Sequence, residues 1–314
     1  MLMVWRCGFR DCTPDRLPIL YACEDIMEHD MRSKIYLWTI VLSLLPIVSH
    51  SQVQGNSSVR ELYVKSGMEE QAEQLPSTMQ AALDRPSSEG DRLRMLPRNV
   101  LSVMKASIPR AFAPERLREV ILAEFTRKLS DRDIKKLLQW FDSPLGKKCV
   151  QLEEAASTAA AQAEIEKFAA RLQDSPPTDG RLKVIRELDS AAKITDAAVD
   201  MAINMQVAFT LGMIAALPLE QQERPDDVAR ELEETRSEVE AAVRSEIFIS
   251  NLYTYRSLSD EEIKRYTQFA KSPAGSKFNL VGTAALKKAM NEGAVKWGKL
   301  IGDAIKEMGG NSEA

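Results

Sequence analysis

Apolar residues along this chain recur mostly at intervals of three and four, and strict two-residue alternation is scarce, a pattern that predicts helices almost throughout. The expected architecture is all-α: two pseudo-repeated helical halves packed as helical bundles. Near the C-terminus Leu286, Met290, Trp297, Ile301, Ile305 and Met308 are spaced to line one face of a helix. Lys287, Lys288, Lys296, Lys299 and Lys306 lie among them and would suit contact with a membrane surface. Glu292, Asp303 and Glu307 dilute that charge, so a core helix with a solvated face is the better expectation. Gly298 and Gly302 would admit a close neighbour on one side.

Elsewhere the pattern predicts long helices from about Leu182 to Ala216 and from Pro225 to about Tyr255, although "EIFISNLYTY", at the end of the latter, is rich in strand formers. Ser58 and Glu61 fit a capping box that would open the first helix, and Pro76 should kink or interrupt it. Pro97 and Pro114 suit the first turns of later helices, with Arg85 to Arg92 as a preceding loop.

The pattern is written twice. "LSDRDIKKLLQWFDSPLGKKC" from Leu129 returns as "LSDEEIKRYTQFAKSPAGSKF" from Leu258, with ten identities in the first twenty positions at an offset of 129. An earlier pair, "VRELYVKSGMEEQAEQLPSTMQ" from Val59 and "IRELDSAAKITDAAVDMAINMQ" from Ile185, lies at an offset of 126. Two echoes in the same order indicate a duplicated unit, far longer than a solenoid repeat. The expected organisation is an N-terminal extension 1–30, a leader 31–51, a first helical repeat 52–173, a linker 174–181, a second repeat 182–309 and a tail 310–314. The halves meet at "QDSPPTDGR", Gln173 to Arg181, which is marked by two prolines and a glycine.

The repeated stretch encodes a helix corner. Ser130 and Ser259 would cap a short helix whose first turn holds Asp131 and Asp133, or Asp260, Glu261 and Glu262, where the helix dipole favours negative charge. That helix would run to Trp140 or Phe269, whose ring should pack inward beside Ile134 or Ile263. Ser143 or Ser272 would cap the next helix, with Pro144 or Pro273 in its first position. Gly146 or Gly275 would leave room for the tight approach. An aromatic and Ser-Pro-x-Gly after such a helix, here "WFDSPLG" and "FAKSPAG", resemble the exported bacterial proteins grouped as domain of unknown function 2059. The resemblance implies an α-helical protein in the periplasm or outside the cell, and carries over no activity and no catalytic residue.

The run from Met31 to Gln52 has the parts of a cleaved secretory signal: Arg32 and Lys34, an apolar stretch from Ile35 to Val48, and a small-residue end near Ser51. The apolar stretch falls short of the roughly 20 residues that a spanning helix needs. Cleavage there would remove Cys7, Cys12, Cys23, His29 and His50, leaving Cys149 and no histidine. That composition excludes intramolecular disulfides, Ser-His and Cys-His nucleophilic pairs, and zinc sites built on imidazoles or several thiolates. Residues 1–51 hold five of 42 basic and six of 46 acidic residues, and the remaining net charge of −3 argues against a nucleic-acid partner.

Candidate chemistry is thin. Asp131 with Asp133, or Asp260 with Glu262, could act as acid and base, but a spacing of two puts each pair on different helix faces. Ser143 or Ser272 could be a nucleophile with Lys147, Lys148 or Lys277 as base, yet a capping hydroxyl is already engaged. Cys149 aligns with Phe278 and therefore reads as buried rather than reactive. Met201, Met205 and Met213, with Ile194 and Ile203, would give a middle helix an adaptable apolar surface, for the core or for a lipid or peptide. The expectation is a non-catalytic binding or structural module, with no cofactor and no metal. An enclosed apolar cavity of several hundred Å³ would favour a carrier of an apolar ligand instead. A cleft of converging carboxylates would favour a histidine-free hydrolase.

Overall fold

A computed structural model describes residues 55–84, 98–215, 224–234 and 236–310. The chain divides after Asp30: the unit Met1–Asp30 lies outside the described residues, and the second unit, Met31–Ala314, holds all of them. The expected leader, the Arg85–Arg92 loop, Pro97 and the 311–314 end of the tail also fall outside them. Thirteen helices are described and no strand. They are α1 (Gly55–Lys65), α2 (Met68–Asp84), α3 (Arg98–Ala111), α4 (Pro114–Lys128), α5 (Asp131–Asp142), α6 (Pro144–Ala156) and α7 (Ala159–Arg171). The second half has α8 (Asp179–Ala192), α9 (Ile194–Ile214), α10 (Pro225–Glu234), α11 (Arg236–Thr254), α12 (Asp260–Lys271) and α13 (Pro273–Gly310).

Local chemistry sets several of the boundaries. Pro114 occupies the first turn of α4, and Thr178 caps α8 by accepting from Arg181 N at 3.2 Å, so the 174–181 connection ends in a helix start. Three expectations are corrected. The first helix begins at Gly55, so Ser58 lies inside it and opens no capping box; Glu61 instead pairs with Lys65 at 2.7 Å. Pro76 does not interrupt α2, which runs through it. The expected Leu182–Ala216 helix is two helices, because Lys193 adopts a left-handed conformation, φ 56°. Asp189 holds the break by accepting from Thr195 N and Oγ1, both at 2.9 Å. Within the expected Pro225–Tyr255 helix, residues 225–234 and 236–254 are helical as α10 and α11, including "EIFISNLYT", and residue 235 lies outside the described residues.

The break at Lys193 has a counterpart. Gly67, which separates α1 from α2, has φ 75° and precedes Lys193 by 126 residues, the offset of the first sequence echo. Glycine takes this conformation without steric cost, whereas lysine does so under strain.

The halves share one core. The last helix of the second half, α13, packs on α3 and α4 of the first, while α6 and α7 of the first pack on α11 of the second. Each half thus lays its C-terminal arm across the other. Phe125 of α4 and Phe278 of α13 meet with ring centroids 5.0 Å apart, both fully buried. The arms differ in form: the first is broken where Ser157 ends α6 and Thr158 caps α7, and the second is one continuous helix of 38 residues.

The long arm α13 also packs along α9. Reciprocal glycines bring the two backbones together: a Cβ on Gly212 would lie 2.2 Å from Val295 O, and one on Gly298 would lie 2.1 Å from Phe209 O. Leu286, Met290, Trp297 and Ile301 are buried, as their spacing predicts, and Trp297 Nε1 donates to Met104 O at 3.0 Å. By length and composition α9 could cross a membrane, but Met201 and Met205 are buried in the core; Met213 is half-buried.

Candidate functional site at the seam between the two corners

Both copies of the repeated stretch form the same corner. Ser130 and Ser259 each close a capping box, with Asp133 and Glu262 returning to the capping residue's backbone N–H at 3.0 and 2.7 Å. Ser143 Oγ accepts from Gly146 N at 3.0 Å, and Ser272 Oγ from Gly275 N at 3.1 Å. Pro144 and Pro273 open α6 and α13. A Cβ on Gly146 would lie 2.0 Å from Trp140 O, and one on Gly275 would lie 2.1 Å from Phe269 O. Only glycine lets the second helix start so close to the end of the first.

The two corners face each other. Trp140 and Phe269 do not pack inward beside Ile134 and Ile263, as expected. Those isoleucines are fully buried, and the half-buried rings stack on one another, centroids 4.2 Å apart and planes within 1° of parallel. On one side of the stack Lys148 of the first corner pairs with Glu262 of the second at 2.8 Å. On the other side Lys277 of the second pairs with Asp133 of the first. A shift of 129 residues converts Lys148 to Lys277 and Asp133 to Glu262, so each ion pair is the image of the other. The capping acids therefore serve two ends at once, the start of their own helix and a lysine of the opposite corner. The Lys148 ammonium, with the Ser259 N–H, holds the Glu262 carboxyl down to about 2. Burial works against ionisation of Asp133, but Lys277 and Ser130 outweigh it and its pKa is lowered.

A groove of about 580 Å³ opens at this seam. The first corner contributes Lys136, Trp140, Ser143, Pro144, Leu145 and Lys148; the second contributes Glu262, Arg265 and Phe269. Three cations thus meet one carboxylate, which Lys148 already occupies. A smaller apolar void, lined by Met68, Leu75, Leu117 and Leu286 among others, holds only about 10 Å³.

None of the catalytic candidates is assembled for chemistry. The Ser143 hydroxyl donates to Trp140 O while accepting from Gly146 N. Lys148 and Lys277 are held in ion pairs, and Lys147 lies 3.9 Å from Asp142. Asp131 with Asp133, and Asp260 with Glu262, remain first-turn residues. Cys149 is 1 % exposed, and burial together with the Glu153 and Glu262 carboxylates raises its pKa well above the ordinary thiol value. Among the described residues no group of three or more His, Cys, Asp or Glu could hold a metal ion.

Sequence reasoning missed a second polar cluster, behind the seam. Glu153 of α6 is buried and accepts from the hydroxyls of Tyr255 and Tyr266, at 2.9 and 2.6 Å. Burial pushes its carboxyl up to about 7 against the opposing effect of the two hydroxyls. The only signal in the sequence is an acid on the inner face of α6, one helical turn after Cys149.

A family model described as "Uncharacterized protein conserved in bacteria (DUF2059)" matches residues 115–175, which span the first corner and the arm that follows it. No curated protein and no solved structure matches the chain.

Proposed function

We propose that this chain, whose residues 115–175 belong to the DUF2059 family, is a non-catalytic binding module that works outside the cytoplasm and holds a protein partner in the seam groove. The observation that carries the reading is the groove itself: an aromatic stack, braced by two ion pairs, with two cations, Lys136 and Arg265, that make no ion pair among the described residues. Its volume suits a binding cleft, and its one carboxylate is committed to Lys148. The Met31–Gln52 pattern supports export.

Native mass spectrometry of the protein from its own host tests the reading. A polypeptide should co-purify with the wild type and be lost from Trp140→Ala protein that still melts cooperatively. A partner retained by that variant would place binding elsewhere, and a bound lipid would favour the carrier. N-terminal sequencing of the same material should begin within a few residues of Gln52; residues before Met31 would refute cleavage.

A further inference from the structure

We infer that the seam groove docks an acidic peptide segment of its partner, with an apolar side chain set between carboxylates; this rests on the binding-module reading above. Lys136 and Arg265 carry the argument. They are exposed, they make no ion pair among the described residues, and an offset of 129 makes them counterparts. Each lies four residues, about one helical turn, before a ring of the stack, Lys136 before Trp140 and Arg265 before Phe269. One cation therefore comes from each corner, with the aromatic stack between them.

The rest of the groove has a matching character. Lys148 is neutralised by Glu262, so the surplus charge belongs to Lys136 and Arg265, in a chain whose net charge is −4. The N-terminus of α6, capped by Ser143, adds the positive end of a helix dipole. Trp140, Phe269 and Leu145 supply apolar surface on which the stem of a side chain can lie. The groove is open to solvent. An extended segment crossing it would engage both cations, whereas a small ligand would stay largely hydrated rather than have most of its surface covered. A nucleic acid would call for a broader basic face than two cations beside a carboxylate.

Isothermal titration calorimetry with the mature protein tests the proposal. The probe is the peptide acetyl-Asp-Glu-Phe-Asp-Glu-amide, compared with its Asn-Gln-Phe-Asn-Gln counterpart and with phosphatidylglycerol vesicles. The acidic peptide should bind saturably, the neutral one roughly tenfold or more weakly, and added salt should weaken the acidic peptide alone. Lys136→Glu with Arg265→Glu should abolish the acidic peptide's advantage; the corresponding glutamine pair serves the same purpose should charge reversal lower the melting temperature. Equal binding of both peptides, undiminished binding to the double variant, or binding of the vesicles in place of the peptide would overturn the inference. A natural partner that is lost on Trp140→Ala but kept by the charge variants would also overturn it, while leaving the binding-module reading intact.

Discussion

Trp140 and Phe269 lie face to face with ring centroids 4.2 Å apart, and a shift of 129 residues turns each into the other. A residue that meets its own counterpart marks a local two-fold relationship, and the Lys148–Glu262 and Lys277–Asp133 pairs on either side obey it. If the stack braces the seam, Trp140→Ala and Phe269→Ala should not be additive. A double-mutant cycle by urea unfolding should give a coupling of about 0.5–1.5 kcal/mol. Additivity within error would mean that the rings are neighbours and nothing more.

Gly146→Val and Gly275→Val should both destabilise the protein, because each new Cβ would run into the carbonyl that ends the preceding helix. Overpacking costs roughly 1–3 kcal/mol, and backbone atoms yield less readily than side chains, so the upper part of that range is expected. Pro273→Ala should cost less, since the first helical position needs no hydrogen-bonded N–H. Thermal unfolding of the three variants decides it; wild-type melting in both valine variants would refute the steric account.

Glu153 makes stability depend on pH with a defined sign. Its carboxyl is raised from 4.5 to about 7 in the folded protein, so the folded state binds the proton more tightly across that window. Its contribution is fully present below about pH 4.5 and is lost as pH rises through 7, by about 3 kcal/mol at most. Glu153→Gln keeps an acceptor for the tyrosine hydroxyls and removes the titration. The variant should match the wild type near pH 5 and exceed it near pH 8, as read by denaturant midpoints at the two values. A wild-type midpoint that does not fall over this range, relative to the variant, would contradict the assignment.

Cys149 should resist a thiol reagent in the native state, being 1 % exposed with its thiolate disfavoured by burial. Labelling at the rate of a free peptide thiol, without denaturant, would show that α6 opens readily.

The corners were legible in the sequence because every instruction in them is local: Ser130 and Ser259 reach three residues ahead, Pro144 and Pro273 sit next to their caps, and the glycines answer carbonyls six residues back. The inward face of α13 was legible for the same reason. The seam was not. That Trp140 would meet Phe269, and that a capping acid would also pair with a lysine of the other copy, depends on which surfaces the halves turn to each other, and helical periodicity does not report that. The Lys193 break was hidden because lysine rarely takes a left-handed conformation; the clue was its alignment with Gly67. Ser58 misled because a capping box is a short pattern that also occurs inside helices, and here α1 begins three residues earlier.

The exchange of arms has a consequence for how such a protein can vary. When two identical chains build an interface, every substitution appears on both sides of it, so a buried acid would arrive as two. Here both faces belong to one polypeptide and can drift apart. Glu153 stands where the other copy has Gly282, its partner Tyr266 where the other has Leu137, and Cys149 where the other has Phe278. A single ionisable group can thus be placed beneath one side of the seam and a ring beneath the other, giving the molecule a front and a back that a pair of equal chains could not have.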